Sequence, residues 1–199
     1  MEDTASGLNQ RLAARVGALR AAQGLSLDAL ATKSGVSRSM ISLIERGESS
    51  PTAVVLEKLA AGLGVTLASL FDTPAAAAQA ARGPVARRED QPQWQDPDSG
   101  YRRRNISPPG VPQPMQIVEG HFPPGGRVAF DNGARDVRVH QQVWVLEGAI
   151  DITVGEERHR LREGDCLAMQ LDRPTIFHNP TRKPARYAVV IASDISARR

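Results

Sequence analysis

The sequence holds a single cysteine, Cys166, so no disulfide can form within the chain. It sits in the apolar stretch CLAMQ, which reads as a strand carrying a buried, inert thiol rather than a redox switch. Also missing is any run near the ~20 apolar residues that a bilayer-spanning helix needs. The start, Met1-Glu2-Asp3-Thr4, is acidic and polar, unlike a signal peptide. A soluble cytoplasmic protein with no membrane partner is expected. A large surplus of one charge is lacking too. The net charge of +3 and pI near 9.5 suit a nucleic-acid partner. Residues 1 to 72, however, hold equal numbers of basic and acidic side chains. The surplus comes mainly from Arg82, Arg87, Arg88 and Arg102 to Arg104, a stretch that reads as a solvated linker or as a contact to phosphates.

What is present divides by pattern. With 199 residues and 41% apolar content, the chain is long enough for one large or two small cores. Residues 1 to 6 look like a frayed end, and from Leu8 the positions Leu12, Val16 and Leu19 repeat at helical spacing, with Arg11, Arg15 and Arg20 on or near the solvent side. Ser26 then caps a helix with Leu27, Leu30 and Ala31 on one side and Gly35 as its stop. Val36 fills the turn. Ser37 caps a second helix that buries Ile41 and Ile44, turns Arg38, Ser39 and Ser42 the other way, and ends at Glu45-Arg46-Gly47. Ser50-Pro51 starts a fourth helix as cap and first residue, Gly64 stops it, and Thr66 caps a last turn from Leu67 to Phe71.

Spacing alone suits two amphipathic helices of an ordinary bundle as well as a DNA reader. The residues carry more. The segment from Leu8 to Phe71, and above all SGVSRSMISLIERGESSPT with the following L-x-K-L-A-x-x-L-G-V, resembles the five-helix, lambda-repressor-like DNA-binding domain of the Xre/Cro/C1-type regulators. The resemblance implies that the helix after Ser37 enters the major groove of operator DNA. Arg38 and Arg46 would grip base edges or phosphates, and Ser37, Ser39 and Ser42 would allow close approach. Many members carry Gln just after the Ser that starts the preceding helix, where it helps hold the phosphate backbone; here Leu27 stands there, and Ser26 and Thr32 are left to share that contact.

Residues 73–100 read as a linker, alanine-rich and then rich in Pro, Gln and Asp, with the lone Trp94 as a docking contact on the next domain. The domains expected are therefore 7–72 for DNA binding and 101–197 for a β-rich unit. In the latter, MQIVEGHF, VRVHQQVWVLEG, AIDITVG, ERHRLREGD, CLAMQ, TIFHN and ARYAVVIA alternate with turn signals, as antiparallel strands of a sandwich or barrel do.

VLEGAIDITVGEERHRLREGD and PTIFHNPTRKPARYAVVI resemble the two motifs of the cupins, which are jelly-roll β-barrels with a pocket in the mouth; Gly148, Gly164-Asp165 and Asn179 carry the likeness. In metal-binding cupins two His, one Glu and a third His ligate. The matching positions here fall near Arg135, Val137, Gln141 and Thr175, a poor donor set for a divalent transition metal. No cofactor is expected. Strand alternation turns Gln141 inward and His140 outward, and sets His178 against Thr175, while His121 and His159 read as surface or strand-edge residues. A pocket lined by Arg135, Gln141, Thr175 and Phe177 would favour a small polar or anionic effector. A filled barrel without ligand is the plainer alternative. The resemblance to both families implies a homodimeric transcription regulator, with repressor as the expected sign. The competing class is a metal-dependent cupin enzyme that carries a helix-turn-helix module. A third is a DNA-binding protein whose barrel only docks a partner.

Overall fold

Three hydroxyl side chains set the starts of the short helices. Ser26 accepts from the backbone N–H of Ala29 at 3.0 Å and opens α2, Leu27–Ser34. Ser37 accepts from Met40 at 3.2 Å and opens α3, Arg38–Glu45. Thr52, rather than Ser50, caps α4, Ala53–Gly62, by accepting from Val55 at 3.3 Å. Ser50 instead accepts from the Asn9 side-chain amide at 2.6 Å, and Pro51 lies buried ahead of the helix. The first helix, α1, runs over Glu2–Ala22 and so begins well before Leu8. The structure is a computed structural model that describes residues 2–71, 84–108, 114–132 and 138–193.

The chain divides into two compact units, one ending at Pro84 and the other beginning at Val85. The first contains four α-helices among the described residues, and its fifth element is a 3-10 helix, Leu67–Phe71, in place of the expected fifth α-helix. Its core is made by Leu12 and Val16 of α1, Leu30 of α2, Val36 of the turn, Ile41 and Ile44 of α3, Leu56 and Leu59 of α4, and Leu70 and Phe71. Gly35 takes φ +67°, a left-handed conformation that lets its N–H reach the Ala31 carbonyl and end α2. A second tie fixes α3 to α1. Arg20 grips Glu45 through Nε and Nη2, both at 2.7 Å, and donates through Nη1 to the Leu25 carbonyl at 2.8 Å. Arg20, expected on the solvent side, is thereby half-buried.

The second unit has ten strands among the described residues: β1 Gln93–Gln95, β2 Arg102–Asn105, β3 Met115–Phe122, β4 Arg127–Phe130, β5 Val139–Glu147, β6 Ala149–Val154, β7 Glu157–Arg162, β8 Cys166–Gln170, β9 Thr175–His178 and β10 Ala185–Ser193. All pairs are antiparallel. They form a six-stranded sheet, β1-β2-β3-β10-β5-β8, and a four-stranded sheet, β4-β9-β6-β7, rather than one closed barrel. The sheets meet through aromatic rings. Phe177 of β9 lies 6.3 Å from Phe122 of β3 and 5.8 Å from Tyr187 of β10, and Tyr101 stacks on Phe122 at 4.7 Å.

Asn179 ties the end of β9 to its surroundings. It donates to the carbonyls of Phe122 and Lys183 and accepts from the N–H and hydroxyl of Thr181. Gly148, at φ +79°, has no room for a side chain, because a Cβ there would lie 2.7 Å from the Pro184 carbonyl oxygen.

Two segments expected as linker belong to the sheet. Trp94 is 4% exposed within β1. Of the basic stretch Arg102 to Arg104, all in β2, Arg104 pairs with Glu119 and Arg103 is buried. On the outer faces, buried carboxylates are each held by two arginines. Glu119 accepts from Arg104 Nε at 2.8 Å and Arg186 Nη1 at 3.1 Å, and Asp151 accepts from Arg158 and, at 3.3 Å, from Arg160. Burial pushes both carboxyls up, yet the arginines hold each net below its ordinary value. Cys166 is exposed, not buried. The reason is phase: β8 turns Leu167 and Met169 toward the other sheet, opposite Val143 and Gln141, and Cys166 shares the outer face with Trp144.

Candidate nucleic-acid interface and ligand cavity

Helix α3 has two sharply different sides. Ile41 is 0% and Ile44 1% exposed, whereas Arg38 and Ser39 are exposed and Ser42 is half-buried on the opposite side, with exposed Arg46 just past the end. Gly47 follows at φ +71°, its N–H donating to the Ile44 carbonyl. The eight-residue length fits a groove-reading element held from behind by two fully buried isoleucines.

Of the seven positions expected to face DNA, all but Ser42 are exposed, and they fall into three local groups. At the start of α2, Ser26 is occupied as a cap, and Thr32 donates to the Asp28 carbonyl at 3.1 Å. Asp28 in turn lies 3.3 Å from Arg38 Nε, so the starts of α2 and α3 meet. Ser37 and Ser39 share a hydroxyl contact at 3.2 Å. At the far end, Arg46 bridges Glu48 through Nε and Nη2 at 2.8 and 2.9 Å and donates to the Ser42 hydroxyl. The hydrogen bonds from Arg46 hold the Glu48 carboxyl below its ordinary range, and Glu48 raises Arg46 in return.

Both cations of this face are therefore paired with acids of the same unit. Asp28 and Glu48 are functional candidates that the sequence reading passed over. Their signal was present: Glu48 stands two residues from Arg46, beyond the helix end, where the chain turns back.

In the second unit, the residues expected to line a pocket are only partly described. Arg135 and Val137 lie outside the described residues. Gln141 does point inward and is half-buried. Thr175 is 1% exposed and accepts from the Asn132 amide at 2.8 Å, while Phe177 is 4% exposed within the aromatic cluster, so both are packed into the core.

A cavity of about 280 Å³ lies elsewhere, between the edge strands β7 and β8, lined by Val154, Glu157, His159, Leu167, Ala168, Met169, Gln170, Asp172 and Arg173. His159, expected at the surface, is half-buried there with Nε2 3.8 Å from Glu157 Oε2. Neither side of this cavity could be assigned to the interior from sequence, because β8 is apolar on both faces.

A divalent metal does not fit the described positions of the family's ligand set. Gln141 offers a neutral amide, and the Thr175 hydroxyl is engaged by Asn132. His140 faces outward on β5, paired across to Ala192 and Gln170. His178 faces outward on β9, beside Arg127 and Asp151. The two histidines thus lie on the outer faces of different sheets.

Comparison with known proteins agrees with this division. A helix-turn-helix family matches residues 16–70, and the cupin domain family matches residues 121–191. The HTH-type transcriptional regulator SutR of Escherichia coli K12 is 29% identical over 167 residues, covering 81% of this chain and 83% of that protein. The crystal structure of an HTH_3 family transcriptional regulator from Vibrio cholerae is similar at a TM-score of 0.75 and 26% identity, covering 94% of this chain and 97% of that one. The cupin domain of an XRE family regulator from Enterobacter cloacae shares 15% identity at a TM-score of 0.42, over 46% of this chain and 95% of that one.

Proposed function

We propose that the chain, in which a helix-turn-helix domain is joined to a C-terminal cupin domain, acts in the cytoplasm as a homodimeric transcription repressor whose cupin unit senses a small molecule. The observation that carries the DNA-binding half is the two-sided α3, with Ile41 and Ile44 sealed into the core and Arg38, Ser39, Ser42 and Arg46 turned away from it. Arg38 reads base edges or an adjacent phosphate, Arg46 holds the backbone, and the serines keep the helix surface low enough for close approach. Ser26, Ser37 and Thr32 flank this face and supply further phosphate contacts.

A two-fold dimer would set two such helices about one DNA turn apart, ~10 base pairs between half-site centres. Support for the dimer comes from the outer face of the six-stranded sheet. Met115, Ile117 and Trp144 are 49%, 38% and 52% exposed there, flanking Ala192, Val190 and Ala188 on β10.

For sensing, the open cavity between β7 and β8 is the described space that suits an effector, with a Leu167 and Met169 floor and Glu157, His159, Asp172 and Arg173 as polar groups. An effector alters DNA affinity only by favouring one arrangement of the paired reading helices over another. We read the cupin unit as non-catalytic, because the positions that ligate metal in cupin enzymes present here an amide and an engaged hydroxyl.

The test is selection of binding sites from random-sequence duplex DNA by the full-length chain. An inverted repeat with half-sites about ten base pairs apart is expected. No enrichment of any sequence would overturn the reading.

A further inference from the structure

Arg103 is a buried cation whose guanidinium is only partly matched among the described residues. It is 6% exposed, and its Nε and Nη2 have no hydrogen-bond partner. A cation in that state is strongly disfavoured relative to water unless something compensates it.

The surroundings are ordered and specific. Arg103 sits in the middle of β2, directly opposite Trp94 of β1 and Gly120 of β3, so all three point to the same, inward side of the sheet. Gly120 has no side chain because the Tyr187 ring occupies that space; a Cβ would lie 2.6 Å from the Tyr187 hydroxyl oxygen. Tyr187 is itself 2% exposed. Burial drives the Tyr187 hydroxyl well above its ordinary pKa, so it stays a neutral phenol and does not serve as the missing anion. The neighbouring arginine, Arg104, shows the contrast: one step along β2, on the outer face, it is fully matched by Glu119.

The same molecule shows what such an edge takes. At Arg20 and again at Arg46, Nε and Nη2 together grip the two oxygens of one carboxylate, Glu45 and Glu48 respectively. These two N–H groups are parallel and spaced for two oxygens on one centre. At Arg103 that same edge has no hydrogen-bond partner.

We propose that Arg103 is the anchor of a binding site for a small oxyanion, a carboxylate or phosphate group, on the inner face of β2 beside Trp94 and Tyr187. This site is separate from the cavity between β7 and β8: β2 lies toward the opposite end of the six-stranded sheet from β8. It stands whether or not the protein regulates transcription.

Trp94 makes the site observable. The chain has two tryptophans, and the other, Trp144, is 52% exposed on the outer face. In full-length Trp144→Phe protein, Trp94 alone reports. Titration with sodium acetate and, separately, sodium phosphate, each balanced by sodium chloride at constant ionic strength, gives a saturable change in its fluorescence with at least one of the two. A response to acetate only assigns the site to carboxylates, and one to phosphate only assigns it to phosphate groups. Adding Arg103→Met abolishes the saturable change. Arg103→Lys, which keeps the charge and loses the fork, weakens it by roughly tenfold. The inference is overturned if neither anion produces a saturable change, or if the midpoint is unaltered in either arginine variant shown to be folded by circular dichroism. Should both variants fail to fold, the titration of the parent protein alone decides.

Discussion

The outward face of α3 and the sheets of the β unit use the same arginine–carboxylate pairing at opposite depths, and depth decides what the pairing is for. In the helical unit, Arg38 with Asp28 and Arg46 with Glu48 are exposed pairs on the face that α3 turns outward. Exposed pairs contribute little to stability and are readily exchanged for another anion. In the β unit, Glu119 and Asp151 are 6% and 2% exposed, and each is held by two arginines. There the carboxylates are out of water, so removing their arginines strands buried charge. The first set is suited to release arginines to a phosphate backbone, while the second set locks the sheet. Arg103 belongs to neither, since it has the depth of the second, and no described acid is paired with it.

The contrast is broken most forcefully at Glu119. Glu119→Ala leaves Arg104 and Arg186 facing one another across a buried position and is expected to cost about 3 kcal/mol in the urea transition followed through Trp94. A loss within error of zero would show the buried cluster to be idle.

Acid should act on the same unit. Because the folded Glu119 and Asp151 carboxyls titrate below their unfolded values, their contribution is full above roughly pH 4 to 5 and is lost as pH falls through the folded values. The melting midpoint of the wild type is expected to drop over that window. The Glu119→Gln, Asp151→Asn double variant starts lower and falls less. Parallel curves would contradict the assignment.

The smallest effect belongs to the exposed pairs. Asp28→Asn and Glu48→Gln remove competitors for Arg38 and Arg46, and each is expected to raise affinity for duplex DNA by a few-fold at low salt while leaving the melting midpoint unchanged. Weaker binding would mean that these acids position the arginines rather than restrain them.

The same difference in depth explains what could be read in the sequence. The reading helix was legible because its logic is local. A serine cap, two isoleucines three apart and a glycine after Arg46 suffice to say which side faces out. In the β unit, alternation over MQIVEGHF, VHQQVWVLE and ARYAVVIA gave β3, β5 and β10, and it also gave the inward phase of Gln141. Three strands were missed for physical reasons. QWQ is three residues long, RRRN has arginine on its inward side, and RVAF lies in a glycine-rich stretch with little alternation.

CLAMQ could be placed as a strand but not in phase, since every residue but the last is apolar. That is why Cys166 was expected inside. The cavity was beyond reach for a related reason: whether Thr175 and Phe177 line a space or fill it depends on the rings of Phe122, Tyr187 and Tyr101, brought in from other strands by register. Metal-ligand positions could be compared residue by residue, whereas cavity volume could not.

The measurement that tests the central claim most directly is the affinity of full-length wild type, Arg38→Ala and Ser42→Ala for the duplex enriched by selection, at one fixed salt concentration. The account predicts a loss on the order of 1–3 kcal/mol for Arg38→Ala, a smaller loss for Ser42→Ala, and unchanged melting midpoints for both. Undiminished binding by both variants would contradict the claim that the outward face of α3 reads DNA.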